Sequence, residues 1–193
     1  MIIGKHTLEC KPIESLDFKT LLGGRKANIL YSDPPWGDGN LKYWTTINEK
    51  QTGKKFSPLD YNTLLGIFRD LIKNNVDGYC FIECSFKDLD LLEERFKGIL
   101  FNVKKFAVEY QGGTNGILFG GTSPNYAFNI DLTGMSGFKM VDLCIKECPG
   151  EIVIDPCCGF GWTARAAVKN GRTFVGNEFN SERIQRTMTE LLK

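Results

Sequence analysis

The chain has 193 residues, of which 42% are hydrophobic, with 24 Lys and Arg against 23 Asp and Glu and a formal charge of +1. That length and apolar content suit one domain with a self-sufficient core and exclude disorder of the bulk. There is no run of ~18 apolar residues, and Met1 to Gly4 lacks the regions of a signal peptide, so a cytoplasmic chain with no membrane span is expected.

Taken in chain order, apolar runs alternate with amphipathic stretches, which predicts an α/β fold with a mainly parallel sheet. Thr7 to Cys10 reads as a short strand, and Ile13 to Leu22 as a helix stopped by Gly23 and Gly24. Asn28 to Ser32 reads as a buried strand broken by Pro34 and Pro35. Gly37 to Phe56 is expected to be a long polar loop. A helix then runs from Leu59 to Lys73, with Ser57-Pro58 as its start signal, followed by a strand over Gly78 to Glu83 and a helix over Phe86 to Lys97. Phe101 to Tyr110 is a predicted strand, and Gln111 to Pro124, with five glycines, a predicted loop. Asn125 to Leu132 resumes as a strand and Lys139 to Glu147 as a helix. Glu151 to Ile154 is another buried strand, leading through a glycine turn into a helix over Thr163 to Lys169. The last elements are a strand, Thr173 to Glu178, and a helix that Ser181 is expected to cap.

Seven cysteines and a single histidine, His6, include no C-x-x-C pair. Zinc sites want thiolates or imidazoles at turn-like spacing, so no metal is expected. Cys157 and Cys158 have no basic neighbour to activate them as nucleophiles.

Two motifs carry chemistry. Asp33-Pro34-Pro35-Trp36 directly follows a buried strand, which places it at the carboxyl edge of the sheet, where open α/β folds hold ligands. Two prolines remove two N–H donors and leave the Pro34 carbonyl as a free acceptor beside the Asp33 carboxylate. Two adjacent acceptors match the two hydrogens of a primary amine. An aromatic amine is a poor nucleophile because its lone pair is delocalised, and holding both hydrogens out of plane would localise it. Trp36 offers a face on which a flipped base could stack. The same residues also suit an ordinary strand-ending turn.

The second motif, Asp155-Pro156-Cys157-Cys158-Gly159-Phe160-Gly161-Trp162-Thr163, joins the second buried strand to a helix. Its glycines allow close approach of the backbone to a ligand. Glu178, nineteen residues beyond Gly159, ends the next strand, where a carboxylate can accept both hydroxyls of an adenosine ribose. Gly159-x-Gly161-x-x-Ala164 also satisfies a dinucleotide fingerprint, so an NAD enzyme competes. Only 32 residues follow Gly161, too few for a second half of such a fold, and the first motif would have no role.

With both motifs in this order, the chain resembles the S-adenosylmethionine-dependent amino-methyltransferases of DNA, in the permuted beta-type arrangement in which the catalytic motif precedes the cofactor motif. The resemblance spans nearly the whole chain. It implies a Rossmann-like methyltransferase fold with a seven-stranded, mostly parallel sheet, one antiparallel strand and helices on both faces. It makes Asp33, Pro34, Pro35 and Trp36 catalytic, Asp155, Pro156, Cys157, Gly159 and Gly161 cofactor-binding, and Glu178 the ribose ligand. Asp33 where cytosine enzymes carry Ser implies adenine N6. The chain departs from the family pattern at Cys157, Phe160, Trp162 and Lys139-Met140. Trp36 is similar to the motif of messenger-RNA adenine methyltransferases and some phage enzymes. RNA, cytosine N4, a protein amide and a catalytically silent subunit therefore stand beside DNA adenine.

The whole chain is expected to be one methyltransferase domain: a catalytic half over residues 1–110, a short recognition loop over 111–124, and a cofactor half over 139–193. So short an insert implies relaxed recognition, or recognition shared with a second subunit or a homodimer partner. Lys42, Tyr43, Trp44, Lys50, Lys54 and Lys55 interleave lysines with aromatics after Trp36, which suits stacking and phosphate contact with nucleic acid. Arg165, Lys169, Arg172, Arg183 and Arg186 read as a solvated helical face.

Overall fold

The computed structural model describes every residue except Lys54, Phe56 and Pro58. The Ser57-Pro58 start signal therefore lies partly outside the described residues. Two short strands, β1 (Ile2–Ile3) and β2 (His6–Glu9), precede a 3-10 turn (Ile13–Ser15) and a short helix α1 (Phe18–Leu21). Strand β3 (Ala27–Ser32) is followed by helices α2 (Gly37–Thr52) and α3 (Tyr61–Asn75), then by β4 (Val76–Ser85), a 3-10 turn (Phe86–Asp88) and α4 (Leu89–Phe96). A hairpin of β5 (Phe101–Tyr110) and β6 (Gly113–Gly121) leads to α5 (Gly137–Glu147). The chain closes with β7 (Ile152–Asp155), α6 (Trp162–Lys169), β8 (Thr173–Asn177) and α7 (Ser181–Leu191).

Among the described residues the strands form one eight-stranded sheet in the order β1-β2-β8-β7-β3-β4-β6-β5. The strands β2, β8, β7, β3 and β4 are mutually parallel, and β6 runs antiparallel between β4 and β5. The sequence reading expected seven strands; the eighth is the two-residue β1, which pairs with β2 alone. From the adjacent strands β3 and β7 the chain leaves in opposite directions, β3 toward β4 and β7 toward β8. That makes the pair a topological switch point, where the carboxyl ends open a crevice.

Strand β3 is central, and its uninterrupted apolar run follows from burial on both faces. Ile29 and Tyr31 pack into one core cluster with Met140, Val141 and Cys144 of α5. Ala27 and Leu30 pack into the other with Leu64, Leu65 and Phe68 of α3. Helix α3 is long enough to bury six side chains at helical spacing, and Asp60 caps it by accepting from the Thr63 amide at 2.9 Å.

Several expectations are corrected. Residues 37–52 are helical rather than a loop, ended by Gly53 in the left-handed region at φ 70°. Its inward stripe, Leu41, Trp44, Thr45 and Asn48, keeps the 3.6-residue period but is half polar, so no apolar periodicity shows in the sequence. The glycine-rich stretch predicted as a recognition loop is the core strand β6. A Cβ at Gly116 would lie 2.7 Å from Leu89 and one at Gly120 2.8 Å from Leu100, so these glycines admit close packing rather than mark a turn. The turn itself is Gln111 and Gly112, both with positive φ. Residues 125–132 form no strand. They cover β5, with carbonyls of Tyr126 and Phe128 taken by the side chains of Asn102 and Lys104 instead of by a ladder. The predicted helix over Ile13 to Leu22 divides into the 3-10 turn and α1. Asn180, not Ser181, caps α7, accepting from the amides of Glu182 and Arg183. No helix among the described residues is long and apolar enough to cross a membrane.

Candidate active site

Parallel pairing of β3 with β7 brings the ends of both motif strands to one edge. Ile29 and Leu30 lie opposite Val153 and Ile154, so Ser32 arrives beside Asp155. The Ser32 hydroxyl donates to Asp155 Oδ1 at 2.7 Å, and the Cys157 amide donates to the same oxygen at 3.0 Å. Asp155, only 3% exposed, thereby laces the cofactor-type turn to the strand that carries the catalytic-type turn.

Beyond Ser32, the Asp33 carboxyl opens to the crevice. Its Oδ1 accepts from the indole N–H of Trp36 at 3.0 Å, which fixes its orientation. Crowding by protein at the base of the crevice pushes Asp33 up to about 7; the Trp36 hydrogen bond opposes that rise and the charge of Asp155 adds to it. Trp36 is half-buried, and its ring meets Tyr110 edge-on at 5.9 Å.

The second turn is built from backbone conformation. Gly159 adopts φ 51° with open space where a Cβ would stand, and its amide donates to Glu178 Oε2 at 2.8 Å. The other Glu178 oxygen accepts from the Asn180 amide at 2.8 Å. Two backbone donors thus hold a buried carboxylate at the end of β8, with further lone pairs available to a ligand. Desolvation raises its pKa, against those hydrogen bonds.

A single cavity of about 920 Å³ joins the two turns. Asp33, Pro34, Pro35 and Trp36 line it, as do Asp155, Pro156, Cys157, Gly159 and Glu178. Gly161 does not line it. Its φ of 83° and the 2.8 Å approach of a would-be Cβ to the Thr187 backbone make it a packing glycine between α6 and α7. Tyr43, Trp44 and Lys55 also line the cavity, the first two from helix α2 instead of a loop. Lys42 is exposed on the same helix and is not among the lining residues, and Lys54 lies outside the described residues. Burial keeps the Cys157 thiol pKa well above its ordinary value, so it stays protonated.

Sequence reasoning missed many of the lining side chains, Glu83, Tyr31, Tyr110, Phe160, Trp162 and Arg183 among them. Glu83 and Tyr31 form a buried pair on β4 and β3, the Tyr31 hydroxyl donating to Glu83 Oε1 at 2.7 Å. Tyr110 is the last residue of β5, paired with Gly113 beside the hairpin turn. Phe160 and Trp162, 51% and 47% exposed, stand at the mouth. Arg183, read as part of a solvated face, stacks at 4.1 Å over Trp44 and at 5.6 Å over Phe160, so it ties α7 to α2 at the rim. A carboxylate inside the apolar run Phe81-Ile82-Glu83-Cys84 was the available signal for Glu83.

The lining is rich in acids. Asp33, Glu83, Asp155 and Glu178 all face the cavity, and its described lining residues include two cationic side chains, Lys55 and Arg183. Desolvation and then the charge of Asp33 push Glu83 up to about 8, and desolvation pushes Asp155 to about 6. Such a chamber favours a cationic guest over an anionic one.

No family model matches the sequence, and no curated protein matches it. Solved structures do match in shape. M1.HpyAVI, also solved as a complex with SAM, shares 16% identity at a TM-score of 0.66, over 96% of this chain and 98% of its own for the structure without SAM. TTHA0409 from Thermus thermophilus, complexed with S-adenosyl-L-methionine, shares 14% identity at 0.62, over 96% of this chain and 93% of its own. The cytosine-N4-specific PvuII DNA methyltransferase shares 10% identity at 0.61, over 100% and 91%. At these identities the likeness establishes the fold: a mixed α/β unit with a mostly parallel sheet, as in the PvuII methyltransferase.

Proposed function

We propose that this chain is an S-adenosylmethionine-dependent methyltransferase acting on the exocyclic amine of a flipped base in nucleic acid, with adenine N6 in DNA as the preferred target. The observation that carries the reading is the sharing of one acid-lined cavity by the Asp33-Pro34 acceptor pair and the Gly159–Glu178 turn. Complexes of M1.HpyAVI and TTHA0409 with S-adenosylmethionine, and the DNA substrate of the PvuII enzyme, support it at the level of fold.

The cofactor supplies a methyl group on a positively charged sulfonium centre. Gly159 leaves room for its adenosine end, the fixed Glu178 carboxylate accepts the ribose hydroxyls, and Asp155 holds the turn in place. An NAD enzyme fits this lining poorly, because a pyrophosphate would face four carboxyl groups.

Asp33 and the Pro34 carbonyl accept the two amine hydrogens, which localises the nitrogen lone pair toward the methyl group. Orientation and electrostatics then supply most of the rate, with no covalent attack by the protein. Trp36 holds the Asp33 carboxylate by its indole N–H and, with Tyr110, offers aromatic surface for the extruded base.

Incubation with unmethylated genomic DNA, or with RNA, and isotope-labelled cofactor tests the reading. Mass spectrometry of digested nucleosides is expected to show labelled N6-methyladenine from DNA. Labelled N4-methylcytosine, or label in RNA alone, would move the assignment to that substrate, and no label in either polymer would refute it.

A further inference from the structure

Glu83 belongs to neither motif, yet it occupies the floor of the same cavity. The last paired residues of β3 and β4 are Ser32 and Ile82, so Asp33 and Glu83 are the next residues along two adjacent parallel strands, and both line the cavity. They share the face of the sheet that Tyr31 occupies, because alternate residues of a strand point the same way. Glu83 is 7% exposed, and Tyr31 donates to its Oε1, which leaves Oε2 to carry a proton.

The groups that bear on Glu83 are the carboxyls of Asp33 and Asp155, the phenols of Tyr31 and Tyr110, and the thiols of Cys84 and Cys144. None of them is a cation. Of the two neighbouring carboxyls, Glu83 is buried while Asp33 is exposed and accepts the Trp36 indole N–H, so the proton rests on Glu83 and the floor presents a carboxylate next to an O–H donor.

That pair complements a particular chemical edge. In an aminopyrimidine ring the amino group adjoins a ring nitrogen that carries a lone pair, whereas a protein amide has no such atom. We propose that Glu83 is a substrate-binding residue whose protonated carboxyl donates a hydrogen bond to the ring nitrogen beside the amine held by Asp33 and the Pro34 carbonyl. This rests on the reading of the site as an amine methyltransferase and narrows its substrates to nucleobases of the adenine and cytosine class. Ionised Glu83 would repel the same lone pair.

The test compares wild type, Glu83→Gln and Glu83→Leu on DNA containing the mapped target and on the same DNA with the target base in its deaza form, carbon replacing that ring nitrogen. Calorimetric binding of S-adenosylmethionine and thermal unfolding establish that each variant is folded and loaded. Wild-type kcat/KM is expected to fall as pH rises through about 8, where Glu83 loses its proton. Glu83→Leu should lose about 10- to 100-fold at every pH. Glu83→Gln, whose amide donates without titrating, should recover most of that loss and abolish the alkaline fall. The deaza substrate should cost wild type about as much as the Leu variant loses, and cost the Leu variant nothing more. Full activity of Glu83→Leu, an alkaline fall that persists in Glu83→Gln, or equal use of both substrates by wild type would overturn the inference while leaving methyl transfer standing. Absence of methyl transfer by wild type would remove the parent reading, and the inference with it.

Discussion

Gly159 and Gly161 stand two residues apart in one turn and are held there by different constraints. At Gly159 a methyl group would enter open cavity, so alanine meets only the cost of a left-handed φ, about 1 to 2 kcal/mol. At Gly161 the methyl would also strike the Thr187 backbone. We predict that Gly159→Ala stays folded but weakens S-adenosylmethionine binding at least tenfold by calorimetry. Gly161→Ala should lower the unfolding free energy by more than about 2 kcal/mol. Equal effects of the two on stability would contradict this division. Trp36 gives a second residue-scale prediction. Its indole N–H is what opposes the rise of the Asp33 pKa, so Trp36→Phe removes a lowering influence. The acid limb of kcat/KM, which should rise through about 7 in wild type, is expected to move to higher pH; an unmoved limb would show that the hydrogen bond does not tune Asp33.

At the scale of elements, β6 is the sharpest case. Phe119 is fully buried between β4 and β5 and packs on Phe81 and Phe128 with ring centroids 5.1 and 5.5 Å apart. Phe119→Ala should therefore cost about 3 to 5 kcal/mol in denaturant unfolding. A recognition loop would tolerate the change with no loss of stability. The elements that bracket the site were legible in the sequence because buried parallel strands write themselves as uninterrupted apolar runs: β3, β7 and β8 stand within a residue or two of their predicted places. Helices α3 and α5 were legible from their apolar period. Helix α2 was not, since it buries Asn48, whose side-chain oxygen accepts from Asn180, as an apolar helix would bury leucine. In β6, close approach of α4 and Leu100 selects glycines that mimic turn residues. Of the site, both turns were legible because each chemistry demands particular residues at a strand end. Glu83 and Tyr110 were not, because only strand pairing and the hairpin bring them beside Asp33.

For the whole molecule, the concentration of acids around one cavity ties stability to pH. A carboxyl whose pKa is raised on folding favours the folded state while it holds its proton. That contribution is complete below the ordinary carboxylate range and is lost as pH rises through the folded value, about 6 for Asp155 and about 8 for Glu83. The ligand-free protein should thus lose stability from about pH 4 up to about pH 8, by up to about 1.4 kcal/mol per pH unit for each proton involved, and level off above that. Glu83→Gln should flatten the upper part of that fall in thermal unfolding, and an identical slope in the variant would place the linked proton elsewhere. The central claim is that two turns separated by 122 residues of chain (33 to 155) serve one reaction, one binding the cofactor and the other holding the amine. Its most direct measurement is parallel calorimetry and methyl transfer on Asp33→Ala. We predict S-adenosylmethionine affinity within about threefold of wild type and transfer reduced by at least about a thousandfold. Undiminished transfer, or affinity lost together with transfer, would contradict it.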